Sequence, residues 1–293
     1  MEWLNEVPKL NLGVKLIVAL ALCYLLYFIF GRKEELSKHA AENTLASVGV
    51  AMLNMIALIL FVEDINRFAQ KAYAALGIPT LDPTVWDTVP PVLACLLAVA
   101  AKDFADYWSH RAMHTKWGWA THAAHHSDTH VNAFTGFRIH FLEAMLMTLY
   151  YVILLTWLQL PALIPIMALF YALHGMYVHM DLPFNHGPLK YLISSPVYHR
   201  WHHADEPAAY GKNLANIMPI YDVIFGTYYN PGPCNAPMGA LKSGIEDKNP
   251  FKIMVYPFQN WAGLIRDEWT KRRTGAMEQP APPKQVTVEV PDR

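Results

Sequence analysis

Charge is the first thing this 293-residue chain has little of. Asp, Glu, Lys and Arg make up 16% of it, against roughly a quarter of an ordinary soluble domain. The net charge is −1 with histidine neutral, so nothing supports a nucleic-acid partner or strong adhesion to an acidic surface. Cysteine is equally scarce. Cys23, Cys95 and Cys234 stand far apart, which excludes a disulfide framework and a zinc knuckle. The chain also lacks a nucleophilic-serine motif and a phosphate-cradling glycine loop, and two large enzyme classes go with them.

What the chain has in excess is hydrophobic residues, 54% of the total, blocked into long runs. The first, Leu12 to Phe30, is longer than the ~7–15-residue apolar core of a signal peptide. It lacks a small-x-small cleavage site and ends in Gly31-Arg32-Lys33, so it reads as a spanning helix. Leu45 to Val62 is the second run, and Phe68 to Trp86 reads as an interfacial connection. A third starts at Pro90-Pro91 and passes at Ala101 into KDFADYWSHRAMH without a breaker. One helix there leaves the membrane carrying polar residues. The fourth is Phe141 to Leu160, with Glu143 near its entrance, and Pro161 and Pro165 bracket a turn into the fifth, Ile166 to Met180. Because a span takes ~20 apolar residues, the expectation is an all-α integral-membrane bundle of four or five spans.

Loop charges orient it. With the N-terminus outside, Arg32, Lys33, Lys38, Arg111, Lys116, Arg138, Lys190 and Arg200 share one side, which the positive-inside rule assigns to the cytosol. Residues 1–272 are read as one membrane-embedded catalytic domain. Residues 273–293, poor in large apolar residues and rich in proline, are read as a disordered tail.

Thirteen of the fourteen histidines lie between His110 and His203. They form His110-x-x-x-His114, His122-x-x-His125-His126, the looser pair His174 and His179, and His199-x-x-His202-His203. Residues i, i+3 and i+4 of a helix share a face, so each cluster can present its imidazoles to one centre. Left without metal, so many rings forced together would need separate buried partners or would repel when protonated. His174 and His179 are five apart, about 140° around a helix, so only one points at the site. His179, followed by Asp181 and Pro183, is preferred, and His174 is kept as a tenth ligand or a structural neighbour. Asp106 and Asp103 precede His110 by four and seven residues, on the face where a carboxylate can hold the far nitrogen of a ligand. His39, His130 and His186 read as ordinary core or surface residues. Imidazole alone does not select the metal, but this many ligands exceed the four of a closed zinc site and fit two ions.

At these residues the chain resembles the fatty acid hydroxylase/sterol desaturase superfamily. The match runs over about residues 93–229, through DYWSHRAMH, HxxHH, VHMDLP and SPVYHRWHH in order, with HHSDTHVNAFTGFRIHFLE and GKNLANIMPIYDVIFGTYY after the second and last boxes. The resemblance implies a membrane helical bundle capped by a cytosolic histidine-rich lobe holding a dimetal centre. That centre is expected to be two iron ions, with zinc as a substitute. It uses molecular oxygen and two external electrons to hydroxylate or desaturate lipids. Carried over by position, the ligands are His110, His114, His122, His125, His126, His179, His199, His202 and His203. Asp106, Asn132 and Asn213 match polar positions near the metal shell, with Asp106 and Asn132 kept as catalytic-site residues. His140 departs from the pattern, because Phe141 follows where proline is usual. Asp222 reads as structural, and Gly226-Thr227 as a fold signature. The partners expected are the bilayer, a lipid substrate and a separate electron-donor protein.

Two other classes compete. A zinc-dependent membrane hydrolase would need no reductant and would usually carry bridging carboxylates. A metal-handling membrane protein would place ionisable ligands inside the spans, where only Lys102, Glu143 and His174 approach that description.

Overall fold

A computed structural model of the chain describes residues 12–31, 38–159 and 164–274. Among them lie nine α-helices and no β-strand: α1 (Leu12–Phe30), α2 (Lys38–Leu76), α3 (Pro91–Met113), α4 (Trp119–His126), α5 (Phe141–Leu158), α6 (Ile164–His179), α7 (Pro196–His202), α8 (Ile220–Phe225) and α9 (Pro250–Thr274). An isolated bridge joins Ala204 to Met238. The described residues adopt the expected all-α class.

Local chemistry sets the helix ends. Proline occupies the first turn of α3 and of α7, where its missing N–H costs nothing. Ser195 caps α7 by accepting a hydrogen bond from the Tyr198 amide, satisfying one of the free N–H groups of the first turn. His140, whose role the sequence left open, caps α5. Its Nδ1 accepts from the Leu142 amide at 3.1 Å, and its Nε2–H donates to the Met254 carbonyl at 3.0 Å. The turn from α3 to α4 depends on Gly118, where a Cβ would collide with the Ala112 carbonyl.

The third apolar run and the first histidine box form one unbroken helix, α3, as expected from the missing breaker. The second run differs from expectation. Helix α2 does not stop near Val62 but continues through Glu63 and Asp64 to Leu76, 39 residues in all. No proline interrupts it, and it ends where Gly77 supplies a positive φ of 60°, a common helix stop. The presumed interfacial connection is therefore helical over its first half. The turn at Pro161 and the basic residues Arg32 and Lys33 lie outside the described residues. So does the tail from residue 275, since α9 runs to Thr274.

Helix α5 packs against α2 and α3, and α9 lies across α4 and α2. Among the described residues one helix, Phe141–Leu158, is long and apolar enough to cross a membrane, and a shorter apolar segment covers Ala21–Phe30. The histidine-bearing parts of α3, α4, α6 and α7 converge on one another. Arg138, fully buried, ties the lobe together. It donates to the Asn43 carbonyl on α2, to Ser127 Oγ after α4 and to the Asp247 carbonyl before α9.

Candidate metal centre

Nine histidines meet in two groups. His110, His114, His122, His126 and His202 form one, and His125, His179, His199 and His203 the other; within each group the available ligand atoms lie within 4.8 Å of one another. The groups abut, with ring centroids 4.6 Å apart for His126 and His203 and 5.2 Å for His122 and His125. All are buried except His114, which is half-buried.

The rings turn their Nε2 atoms inward. Nε2 of His122 is 2.8 Å from that of His110 and 3.1 Å from that of His126, which is 3.0 Å from that of His202. In the second group His199 Nε2 lies 2.9 Å from His179 Nε2 and 3.2 Å from His203 Nε2, and His179 Nε2 is 3.2 Å from His125 Nε2.

The far nitrogens explain what these contacts mean. His110 Nδ1–H donates to the Leu214 carbonyl at 2.7 Å and His202 Nδ1–H to the Lys212 carbonyl at 2.9 Å. His179 Nδ1–H donates to Gly175 O at 2.5 Å, and His122 Nδ1–H to Glu143 Oε1 at 2.8 Å. A neutral imidazole that donates from Nδ1 has only a lone pair at Nε2. His110, bonded to a carbonyl that can only accept, has a lone pair at Nε2, and with Glu143 ionised so does His122, the two lone pairs then facing each other across 2.8 Å. Such contacts are repulsive unless a cation lies among them. Two nitrogens each about 2.1 Å from one ion and at right angles are about 3.0 Å apart, close to the spacing seen. His114 Nε2 is buried without a hydrogen-bond partner, another donor aimed at nothing in the protein. The residues fit metal ions.

Electrostatics agree. Burial, with the neighbouring rings adding to it for His202, pulls His110 down to about 4 and His202 to about 3. The same causes hold His114, His122, His125, His126, His199 and His203 well below the ordinary imidazole range. Neutral imidazole is the form that ligates metal.

The expected tenth ligand stands apart. His174 belongs to neither group, and its Nε2 faces Ser194, 3.3 Å from both the carbonyl and Oγ. The five-residue offset turns it away from His179, as helix geometry requires. Asp106 holds no ligand either. Its Oδ2 pairs with Lys102 Nζ at 2.5 Å and accepts from Asn216 Nδ2 at 3.3 Å. The far nitrogen of His110, which Asp106 was expected to hold, is taken by Leu214 instead. Asp103 accepts the Asn216, Ile217 and Met218 amides. Asn132 shapes a turn, accepting the Phe134 amide and donating to Thr44 and His130. Asn213, at a positive φ of 56°, binds the Tyr198 and Tyr229 carbonyls. Asp222 accepts the Leu214 and Ala215 amides, Thr227 Oγ1 and the Tyr198 hydroxyl. Asp103 and Asp222 thus pin the backbone around residue 214 that steers His110.

Sequence reasoning missed Glu143 as a partner of His122. Its signal was available: a single carboxylate in the first turn of an otherwise apolar helix. The carbonyls of Lys212, Leu214 and Gly175 left no side-chain signal at all.

Two cavities reach the cluster. One, of about 320 Å³, is mainly apolar, with Met113, Phe137, Ile139, Met147 and Val178 in its wall; His110, His122, His125, His179 and His199 also line it. The other, of about 290 Å³, reaches His114, His126 and His202 and is rimmed by Asp205, Tyr210 and Lys242.

Paired all-histidine cages in a helical lobe define a class of protein built to hold metal ions through imidazole. Residues 95–227, a little under half of the chain, match the fatty acid hydroxylase family, and the chain is similar to oxidoreductases of the fatty acid hydroxylase/sterol desaturase superfamily. It is 27% identical to human alkylglycerol monooxygenase over 191 residues, 64% of this chain and 41% of that protein. With the Caenorhabditis elegans alkylglycerol monooxygenase it shares 24% identity over 283 residues, 92% of this chain and 52% of the relative. With the ornithine lipid hydroxylase of Rhizobium tropici it shares 30% over 152 residues, 50% and 44% of the two chains. The chain spans about half or less of the length of these relatives. No solved structure matches it.

Proposed function

We propose that this chain is a multi-pass integral-membrane lipid oxygenase whose nine clustered histidines hold two iron ions. The observation that carries the reading is a juxtaposition: five of the nine imidazoles form part of the wall of an otherwise mainly apolar cavity. Iron held there supplies the oxygen activation that an unreactive C–H bond requires.

The protein's own part is to place and to exclude. Met113, Phe137, Ile139, Met147 and Val178 offer a hydrocarbon segment an apolar wall beside His110, His122, His125, His179 and His199, and the same wall keeps bulk water away. Leu214, Lys212, Gly175 and Glu143 fix the tautomers of His110, His202, His179 and His122, leaving each Nε2 free to ligate. Asp106 and Asn132 act one step further out. Asp106 accepts from Asn216, near the backbone that steers His110, and Asn132 shapes the loop that follows α4.

Membrane insertion is supported by the outer surface. Phe28, Leu45 and Val92, on α1, α2 and α3, are 80%, 70% and 72% exposed. Only 24% of the Phe141–Leu158 segment is buried inside the protein. Soluble monomers rarely leave such large apolar residues uncovered over several helices. Four or five spans, with the histidine lobe on the cytosolic side, suit these faces and the loop charges. The substrate is a lipid, in keeping with relatives named for alkylglycerol and ornithine lipid, and a separate protein supplies electrons. Residues 1–272 act as one catalytic unit.

The test is lipid mass spectrometry. Iron-loaded protein in mild detergent is incubated with an alkylglycerol, an ornithine lipid or a fatty acid, a reductant, and either oxygen or argon. Oxygen-dependent oxidation of one of these supports the proposal. Lipid conversion that proceeds equally under argon would sink it and favour a hydrolase.

A further inference from the structure

The two cavities do not meet the histidines symmetrically. The apolar one touches members of both groups. The other, less apolar though still lined mainly by apolar surface, touches only the five-histidine group, through His114, His126 and His202; no member of the four-histidine group lines it. Its rim is hydrophilic. Lys242 Nζ lies 3.5 Å from Asp205 Oδ1 and 3.3 Å from the Tyr210 hydroxyl, which itself donates to Asp205. Asp205 is nearly covered, its side chain 11% exposed, while that of Lys242 is 69% exposed. The arrangement is a buried-side carboxylate latched by a solvent-side cation. Behind it stand three imidazoles, one of which, His114, has a buried Nε2 without a partner in the protein.

We infer that this second cavity, with its charged rim of Asp205 and Lys242, is the port through which hydrated metal ions reach and leave the five-histidine position, so that the two ions exchange at different rates. The inference rests on the two-ion reading above. A divalent cation gives up its water shell more easily where a carboxylate and imidazoles stand ready to replace it than along a hydrocarbon wall, and Asp205, His114, His126 and His202 stand together only in this cavity. Asp205 draws the cation in, Lys242 competes for the same carboxylate, and His114, His126 and His202 replace the water ligands in turn. The four-histidine position has only the apolar cavity and its neighbour group beside it, so its ion leaves slowly.

The experiment is ion removal from the whole iron-loaded protein in detergent by excess EDTA, following the metal that remains per chain against time. Two phases of about equal amplitude are expected. Lys242→Ala removes a solvent-exposed pair of modest strength and should speed the fast phase about threefold. Ala240→Phe puts a large ring into the port and should slow that phase about tenfold or more. Ala172→Phe, which narrows the apolar cavity, should leave the fast phase unchanged while weakening lipid binding. Two ions leaving in a single phase indifferent to Lys242→Ala and Ala240→Phe would overturn the port and leave the two-ion reading standing. A fast phase slowed by Ala172→Phe instead would overturn it too. Protein that holds no metal after iron loading would overturn both. Should Ala240→Phe fail to fold, the Lys242→Ala acceleration still decides the matter.

Discussion

The five-histidine and four-histidine groups are built from the same residue type at the same helical spacings, yet their surroundings differ. The first is steered from outside by the carbonyls of Leu214 and Lys212 and by Glu143, and it opens to both cavities. The second has one ring fixed in this way, His179 by Gly175, while Nδ1 of His125, His199 and His203 is buried without a hydrogen-bond partner. The difference teaches that ligand spacing is a property of the helices, whereas access and tautomer control come from loops that the histidine motifs do not contain. One group meets the charged rim of Asp205 and Lys242 and has three rings fixed in tautomer; the other meets only the more apolar cavity.

Several substitutions sharpen or break this contrast. The largest effect is expected from the ligands. His202→Ala and His125→Ala, one from each group, should each take oxygenase activity below detection; metal analysis should show the first emptying the five-histidine position and the second the four-histidine position. If His202→Ala retained both ions, the assignment of ligands to groups would be wrong.

Acid comes next. Burial holds His110 near 4 and His202 near 3, so these rings stay neutral in the folded protein where an unfolded chain takes up protons near its ordinary value of 6.5. The unfolded state binds more protons below about pH 6.5, so the stability of the metal-free protein should fall steadily as pH drops from there towards 4 and should not vary on their account above it. Thermal unfolding of the metal-free form between pH 8 and 5 checks the sign. In loaded protein dialysed at low pH, the five-histidine ion should be lost faster than its neighbour if the cavity at Asp205 is its port.

A smaller effect separates the outer supports. Glu143→Ala should weaken metal affinity by about 10–100-fold, the usual cost of losing a ligand's hydrogen-bond partner, and should do so at the five-histidine position only. Asp106→Asn should lower thermal stability by disturbing the Lys102 pair without changing metal stoichiometry. Smallest of all, His174→Ala and His39→Ala should leave both ions in place, and metal content per chain distinguishes them from every variant above.

Much of this was legible in the sequence because periodicity carries it. An i, i+3, i+4 histidine pattern fixes a helix face, and the uninterrupted passage from Pro91 to the first histidine box fixes a single helix. The offset between His174 and His179 separates the two rings by helix geometry alone. What escaped was governed by backbone or by distant packing. The partner of His110 is a carbonyl more than a hundred residues away, which no side-chain pattern announces. Asp106 had the right spacing but a nearer partner in Lys102, and a buried carboxylate goes to the cation beside it. The length of α2 was underestimated because Glu63 and Asp64 look like the end of an apolar run, although neither breaks a helix. Glu143 was visible as an oddity, and only the fold connected it to His122.

Metal content per chain tests the central claim most directly. Protein purified in mild detergent after growth in iron-replete medium should carry about two irons per chain, one for each group of inward-facing imidazoles, with a marked loss in His202→Ala. A single tightly held zinc with no iron, in protein that converts lipid without oxygen, would contradict the account.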